Sequence, residues 1–230
     1  MCSVYKKTRK NDEAPDTDHL IAVYPKRFFE VDFLHDVSAN CWVGDGPLNL
    51  NYAYEVKMSS LGTVDFVLAE LSENMNRVER FVSVELQAVD ITGSYLPAYL
   101  ALVQNQLMDR RPVYNFNWAN VRKRYITQLI NKGFFHHHWG TRIVSVLQDH
   151  VFERLSGFIK FDELPVERAN IVFTLYKFVD APEKGDGCKR LVFDRTIGTS
   201  HNSLMMAALY SKAPGREEFC ERILHRLDYQ

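Results

Sequence analysis

Two short segments, VDF at 64–66 and VELQAV at 84–89, carry Asp65, Glu85 and Gln87, residue types that could serve one reaction centre. In FVSVELQAV, Val82, Val84 and Leu86 share one face of a strand, which leaves Ser83, Glu85 and Gln87 on the other. If the two segments are strands of a hairpin turning at SENMNR, the midpoint of positions 65 and 85 is residue 75, inside that turn. Asp65 then stands opposite Glu85 on the same face. Facing carboxylates repel, and a divalent cation removes the conflict. Mg²⁺ suits this donor set, since it takes one or two carboxylates together with waters and a phosphate oxygen. Such an ion favours phosphodiester hydrolysis, and the Gln87 amide could orient the attacking water although it supplies no positive charge. The same pattern also describes the wet face of a half-exposed strand, so both readings stand at this point.

A second cluster is cationic. From residue 110 to 148 no acid occurs, while Arg110, Arg111, Arg122, Lys123, Arg124, Lys132 and Arg142 all fall there with His136, His137 and His138. In NWANVRKRYITQLINKG, Trp118, Val121, Tyr125, Leu129 and Ile130 recur at helical spacing. The opposite face is read as carrying Arg122, Lys123 and Lys132, with Gly133 at the C-cap. Arg122, Lys123, Arg124 and Lys132 are candidates for nucleic-acid phosphates, and Asn117 and Asn120 for phosphate or adenine contacts. A solvated helix face would carry the same charges. Three consecutive histidines do not converge on one ion, so residues 136–138 read as a polar loop. Glu55 and Lys57 are possible accessory groups, with a turn at SSLGT bringing Lys57 near Asp65.

These groups need a scaffold, and 230 residues at 46% hydrophobic can bury a core of one large domain. A net charge of −1 argues against coating nucleic acid by charge alone. No apolar run spans a bilayer, and the expectation is a soluble, cytoplasmic protein with no membrane partner. Cys2, Cys41, Cys188 and Cys220 are scattered, which indicates reduced thiols rather than a zinc module or disulfide framework. Strands are predicted over PLNLNYAYEVKM with one covered face, VDFVLAEL and VERFVSVELQAV, forming a β-meander. A helix begins near Pro97 with Tyr99, Leu102, Val103 and Leu107 on one face. Then come strand TRIVSVL, helix QDHVFERL, a hairpin of ANIVFTLYKFV and RLVFDRTI, and an amphipathic helix through Phe219, Ile223, Leu224 and Leu227. The fold class is mixed α/β, a central sheet flanked by helices.

Asp followed some twenty residues later by Glu-x-Gln resembles the PD-(D/E)xK nuclease core, in the variant where Gln replaces the final Lys. The longer string GTVDFVLAEL…FVSVELQAVDITGSY resembles NotI-type restriction endonucleases, and NFNWANVRKRYITQLINKG is similar to a basic helix of that family. The similarity covers roughly residues 20–155. It implies a restriction-endonuclease-like core, Asp65 and Glu85 as Mg²⁺ ligands with the Leu86 carbonyl, and Gln87 as third catalytic residue. It also implies double-stranded DNA as partner and a homodimer that cuts both strands. Some such proteins hold iron in an N-terminal cysteine cluster; Tyr24 stands at the comparable place here, so no iron site is expected. Residues 1–20 read as a loose segment. Residues 21–230 read as one nuclease domain, its core at about 45–155 and a hairpin and helix at 165–230. The alternative is a DNA-binding or repair-associated module that keeps the fold without cleaving.

Overall fold

The computed structural model describes residues 3–5, 20–93, 96–106, 114–185, 187–210 and 215–227. In chain order the elements begin with β1 (Ser3–Tyr5), β2 (Leu20–Ala22), α1 (Phe33–Cys41), β3 (Leu50–Lys57), β4 (Thr63–Leu71) and β5 (Val78–Gln87). There follow β6 (Ile91–Gly93), α2 (Leu96–Val103), β7 (Tyr114–Phe116), α3 (Trp118–Asn120), a π turn (Val121–Tyr125) and α4 (Ile126–His138). The remainder is β8 (Ile143–Gln148), α5 (Asp149–Phe158), β9 (Ile171–Asp180), β10 (Lys189–Thr199), α6 (His201–Leu209) and α7 (Arg216–Leu227).

Period-two alternation places one apolar set on each face of the six-stranded sheet, whose order is β10-β9-β8-β5-β4-β3. Phe66, Leu68, Val82, Val84, Val144 and Val172 face α1, while Ile143, Leu147, Ile171, Phe173 and Leu175 face α4, α5 and α6. Strands buried on both faces read as near-continuous apolar runs, which is the character of IVFTLY in β9. β3, β4 and β5 are an antiparallel meander, and β8 and β9 run parallel to β5 and to each other. Such parallel pairs need crossovers, supplied by α4 and by α5. β10 returns antiparallel on β9, so the predicted C-terminal hairpin is part of the main sheet.

The predicted covered face of the first strand is largely uncovered. Tyr52, Tyr54 and Val56 are exposed because β3 is the sheet edge, and only Tyr54 reaches the aromatic group of Phe29, Phe33 and Phe66. After β5 the chain continues into β6, which pairs with β7. Pro97 lies in the first turn of α2 as expected; the side chains of Tyr99, Leu102 and Val103, and all of Leu107, lie outside the described residues, as do residues 6–19.

Gly133 is not a C-cap. α4 continues to His138, and a Cβ on Gly133 would come within 2.6 Å of Ile171 Cδ1, so glycine allows the helix to lie close on β9. The three histidines therefore form the last helical turn rather than a loop. α1 and α6 lie outside the predicted elements; their N-caps, Asp32 and Ser200, each accept the backbone N–H three residues on. α7 forms as predicted, yet Phe219, Ile223, Leu224 and Leu227 remain exposed. Among the described residues no helix is long and apolar enough to cross a membrane.

Candidate active site

The β4–β5 hairpin has the register that a turn centred on residue 75 dictates. Phe66 pairs with Val84, Val67 with Ser83 and Leu68 with Val82, so Asp65 and Glu85 are the next opposed positions. The regular ladder stops at Phe66/Val84, and at its end the Asp65 side chain takes over: Oδ2 accepts the Leu86 N–H at 2.8 Å. That bond fixes the Asp65 carboxylate against the strand that carries Glu85. On the other side of β4, Tyr54 pairs with Phe66 and Val56 with Val64, which sets Glu55 opposite Asp65. Glu55 is exposed and has φ +50°, the left-handed region that side chains other than Gly, Asn and Asp seldom adopt. Lys57 pairs with Thr63, one step along the same face, so the position directly opposite Asp65 is that of Glu55.

α4 roofs this row. Lys132 is 4% exposed, and its Nζ donates to the Glu85 carboxylate and to the Thr63 carbonyl, the latter at 2.8 Å. Lys132, expected to face DNA, is instead turned into the protein, unlike the exposed Arg122, Lys123 and Arg124. Seven residues make two helical turns, so Lys132 lies on the face of Tyr125 rather than that of Arg122. Tyr125 and Ser145 share a buried hydroxyl–hydroxyl bond, and Ser145 is the β8 partner of Glu85. One turn beyond Lys132, His136 is fully buried. Its Nδ1–H donates to the Lys132 carbonyl at 2.7 Å, and its Nε2 accepts from the Ser83 hydroxyl at 2.7 Å. Tyr125, Lys132 and His136 were therefore legible as one face, at spacings of seven and four.

Burial raises the Glu85 pKa, the Lys132 ammonium opposes that rise, and the nearby Asp65 charge adds to it. Burial likewise pushes Tyr125 up. Burial lowers His136 to about 4, so it is neutral at pH 7.

Gln87 is half-buried, and its amide donates to the Ala88 carbonyl. It lines a cavity of about 220 Å³ with Leu86, Asp90, Asn120, Arg124 and Gln128. The basic run thus divides: Arg124 serves the Gln87 cavity, whereas Arg122 and Lys123 line a groove of about 570 Å³ against Phe158, Met205 and Leu209. Asn117 caps α3 by accepting the Asn120 N–H at 3.1 Å, and Asn120 Nδ2 donates to Asp90 Oδ2 at 2.5 Å. Both asparagines thus have partners within the protein. Arg142 is buried and donates to the Val166 carbonyl at 2.6 Å, a structural strut.

The donor set fits a hard cation. Asp65 and Glu85 present oxygens only, from adjacent strands, close enough for one charge to perturb the other. Among the described residues no group of three or more His, Cys, Asp or Glu gathers into a metal cage. Two carboxylates still match the way Mg²⁺ is held, with water and substrate supplying its other ligands.

No curated protein matches the chain. The family model described as restriction endonuclease NotI matches residues 25–189. The match begins just after β2 and reaches the first residue of β10, so it takes in the whole β3–β4–β5–α4–β8 unit around Asp65 and Glu85 and extends beyond residue 155. With over half of its length matched and this site inside the match, the chain belongs to the NotI restriction endonuclease family.

Proposed function

We propose that the protein is a Mg²⁺-dependent, sequence-specific deoxyribonuclease of the type II restriction class, built on a PD-(D/E)xK core and acting on double-stranded DNA as a homodimer. The observation that carries the reading is the in-register apposition of Asp65 and Glu85 at the open end of the β4–β5 ladder, in a chain of a restriction endonuclease family. The succession of three antiparallel strands, a helix and a parallel strand supports the same core.

In this reading Asp65, Glu85 and the Leu86 carbonyl hold the ion. When bound, Mg²⁺ supplies Lewis-acid stabilisation of charge developing on the phosphoryl oxygens and makes water a better nucleophile. Asp65 is held for this task by the Leu86 amide, and Glu85 by Lys132. Gln87 orients the attacking water through its amide, which can donate and accept hydrogen bonds but does not take up the proton. Arg124 and Gln128, beside Gln87, contact a phosphate of the bound strand, while Arg122 and Lys123 contact phosphates farther along the duplex. Two-fold pairing of subunits presents one such centre to each DNA strand.

The test is digestion of unmethylated phage DNA with Mg²⁺ or with EDTA, read on a gel. Discrete fragments with Mg²⁺ alone are expected. Uncut DNA on a site-rich substrate would move the reading to a DNA-binding module without cleavage. Reversing charge at both Arg122 and Lys123 should also weaken DNA binding. It should flatten the dependence of log K on log salt by about 2, the share of two phosphate contacts. An unchanged slope would place these residues away from DNA.

A further inference from the structure

We propose that Lys132 is a built-in counter-cation: in the metal-free protein its ammonium offsets one of the two negative charges of the Asp65–Glu85 pair, and a divalent ion binds against its competing charge. The inference deepens the nuclease reading and rests on it.

Three observations lead there. Lys132 is 4% exposed, so in this conformation it is not a clamp for an external phosphate. A buried ammonium is retained only when paired, and its pair here is the carboxylate already assigned to the ion. The same nitrogen also bonds the Thr63 carbonyl, two residues before Asp65, so one group ties together the two strands that carry the carboxylates. Gln87 is neutral, and Arg124 lines the cavity of Leu86 and Gln87, whose lining includes neither Glu85 nor Lys132. Lys132 is the cation the structure places on Glu85. Its role is that of a positioning residue, acting through Glu85 and not on substrate.

Charge arithmetic makes the proposal distinctive. Without Lys132 the two carboxylates face each other uncompensated, which destabilises the metal-free fold and strengthens the site's attraction for a divalent ion. Catalysis does not gain in step, because Glu85 loses the donor that orients it, and small misplacements cost about a hundredfold in rate.

The experiment compares wild type, Lys132→Met and the double variant Lys132→Met/Glu85→Gln. It uses calorimetric titration with Mg²⁺ and with Mn²⁺, thermal melts in EDTA and in Mg²⁺, DNA binding in EDTA, and cleavage at saturating Mg²⁺. Lys132→Met should bind Mg²⁺ about tenfold more tightly, since a unit charge is removed from beside the ion. It should melt lower than wild type in EDTA and recover more of that loss when Mg²⁺ is added. DNA affinity in EDTA should be unchanged, and cleavage about a hundredfold slower. The double variant, with both charges gone, should regain stability in EDTA.

Unchanged or weaker Mg²⁺ affinity in folded Lys132→Met overturns the proposal, and lost DNA affinity in EDTA would make Lys132 a phosphate contact instead. If Lys132→Met does not fold and the double variant is no better, Lys132 serves packing and the charge assignment fails. Wild-type protein that binds neither ion overturns the nuclease site itself, a result distinct from all of these.

Discussion

Replacing Asp65 by Asn, or Glu85 by Gln, should slow Mg²⁺-dependent cleavage by about a thousandfold or more while leaving DNA binding in EDTA intact. The magnitude follows from losing several kcal/mol of transition-state charge stabilisation, at tenfold in rate for about every 1.4 kcal/mol. These isosteres separate chemistry from folding. In Asp65→Asn the amide oxygen can still accept the Leu86 N–H, so the end of the hairpin is kept and only the charge is lost. Glu85→Gln keeps an acceptor for Lys132 but leaves that ammonium without its counter-charge, so a lower melting temperature should accompany the loss of cleavage in this variant. Wild-type rates in either variant would remove the pair from the active site. Loss of DNA binding in EDTA together with cleavage would mean that the carboxylates act on the fold and not on the phosphodiester.

Acidification should erase part of the stability that His136 provides. Its pKa lies at about 4 in the folded protein against an ordinary 6.5, because the ring is buried against Ser83 and beside the Lys132 charge. Between those values the unfolded chain takes up a proton that the native state refuses, so stability falls as pH drops from 6.5 towards 4. The full window corresponds to about 3 kcal/mol. Aromatic rings of Phe81 and Trp139 also surround the imidazole and offer it no carboxylate. Urea denaturation of wild type and His136→Gln from about pH 7.5 to 4 is the measurement. The stability advantage of wild type should shrink by about that amount, since the glutamine has no proton to gain. A constant difference across the window would mean that His136 is protonated in the folded protein.

The carboxylate hairpin was legible because a symmetrical turn and strict alternation leave one register that buries Val82, Val84 and Leu86 together. The strands and helices from β8 to β10 were legible for a similar reason, their apolar runs being long and bounded by polar segments. The inward turn of Lys132 was missed by treating a cation as necessarily solvent-facing, although the seven-residue step from Tyr125 implies it. Gly133 misled in the same helix: a glycine after an amphipathic run signals a cap, but here it admits Ile171 of β9, a long-range contact with no local trace. The edge strand misled differently. Alternation in β3 gives the strand and its pleat, but how much of that face the neighbouring helices cover depends on packing far along the chain.

The pieces of the site also differ in how soon the chain can bring them together. Asp65 and Glu85 meet through a short turn, with only six residues between the strand ends, whereas Lys132 and Ser145 reach Glu85 only when β8 has crossed back to pair with β5. Loop-closure entropy and contact order favour the hairpin as the earlier event. A nascent chain therefore carries its two opposed acids before the lysine that offsets one of them, and that lysine arrives with the helix that leads into β8.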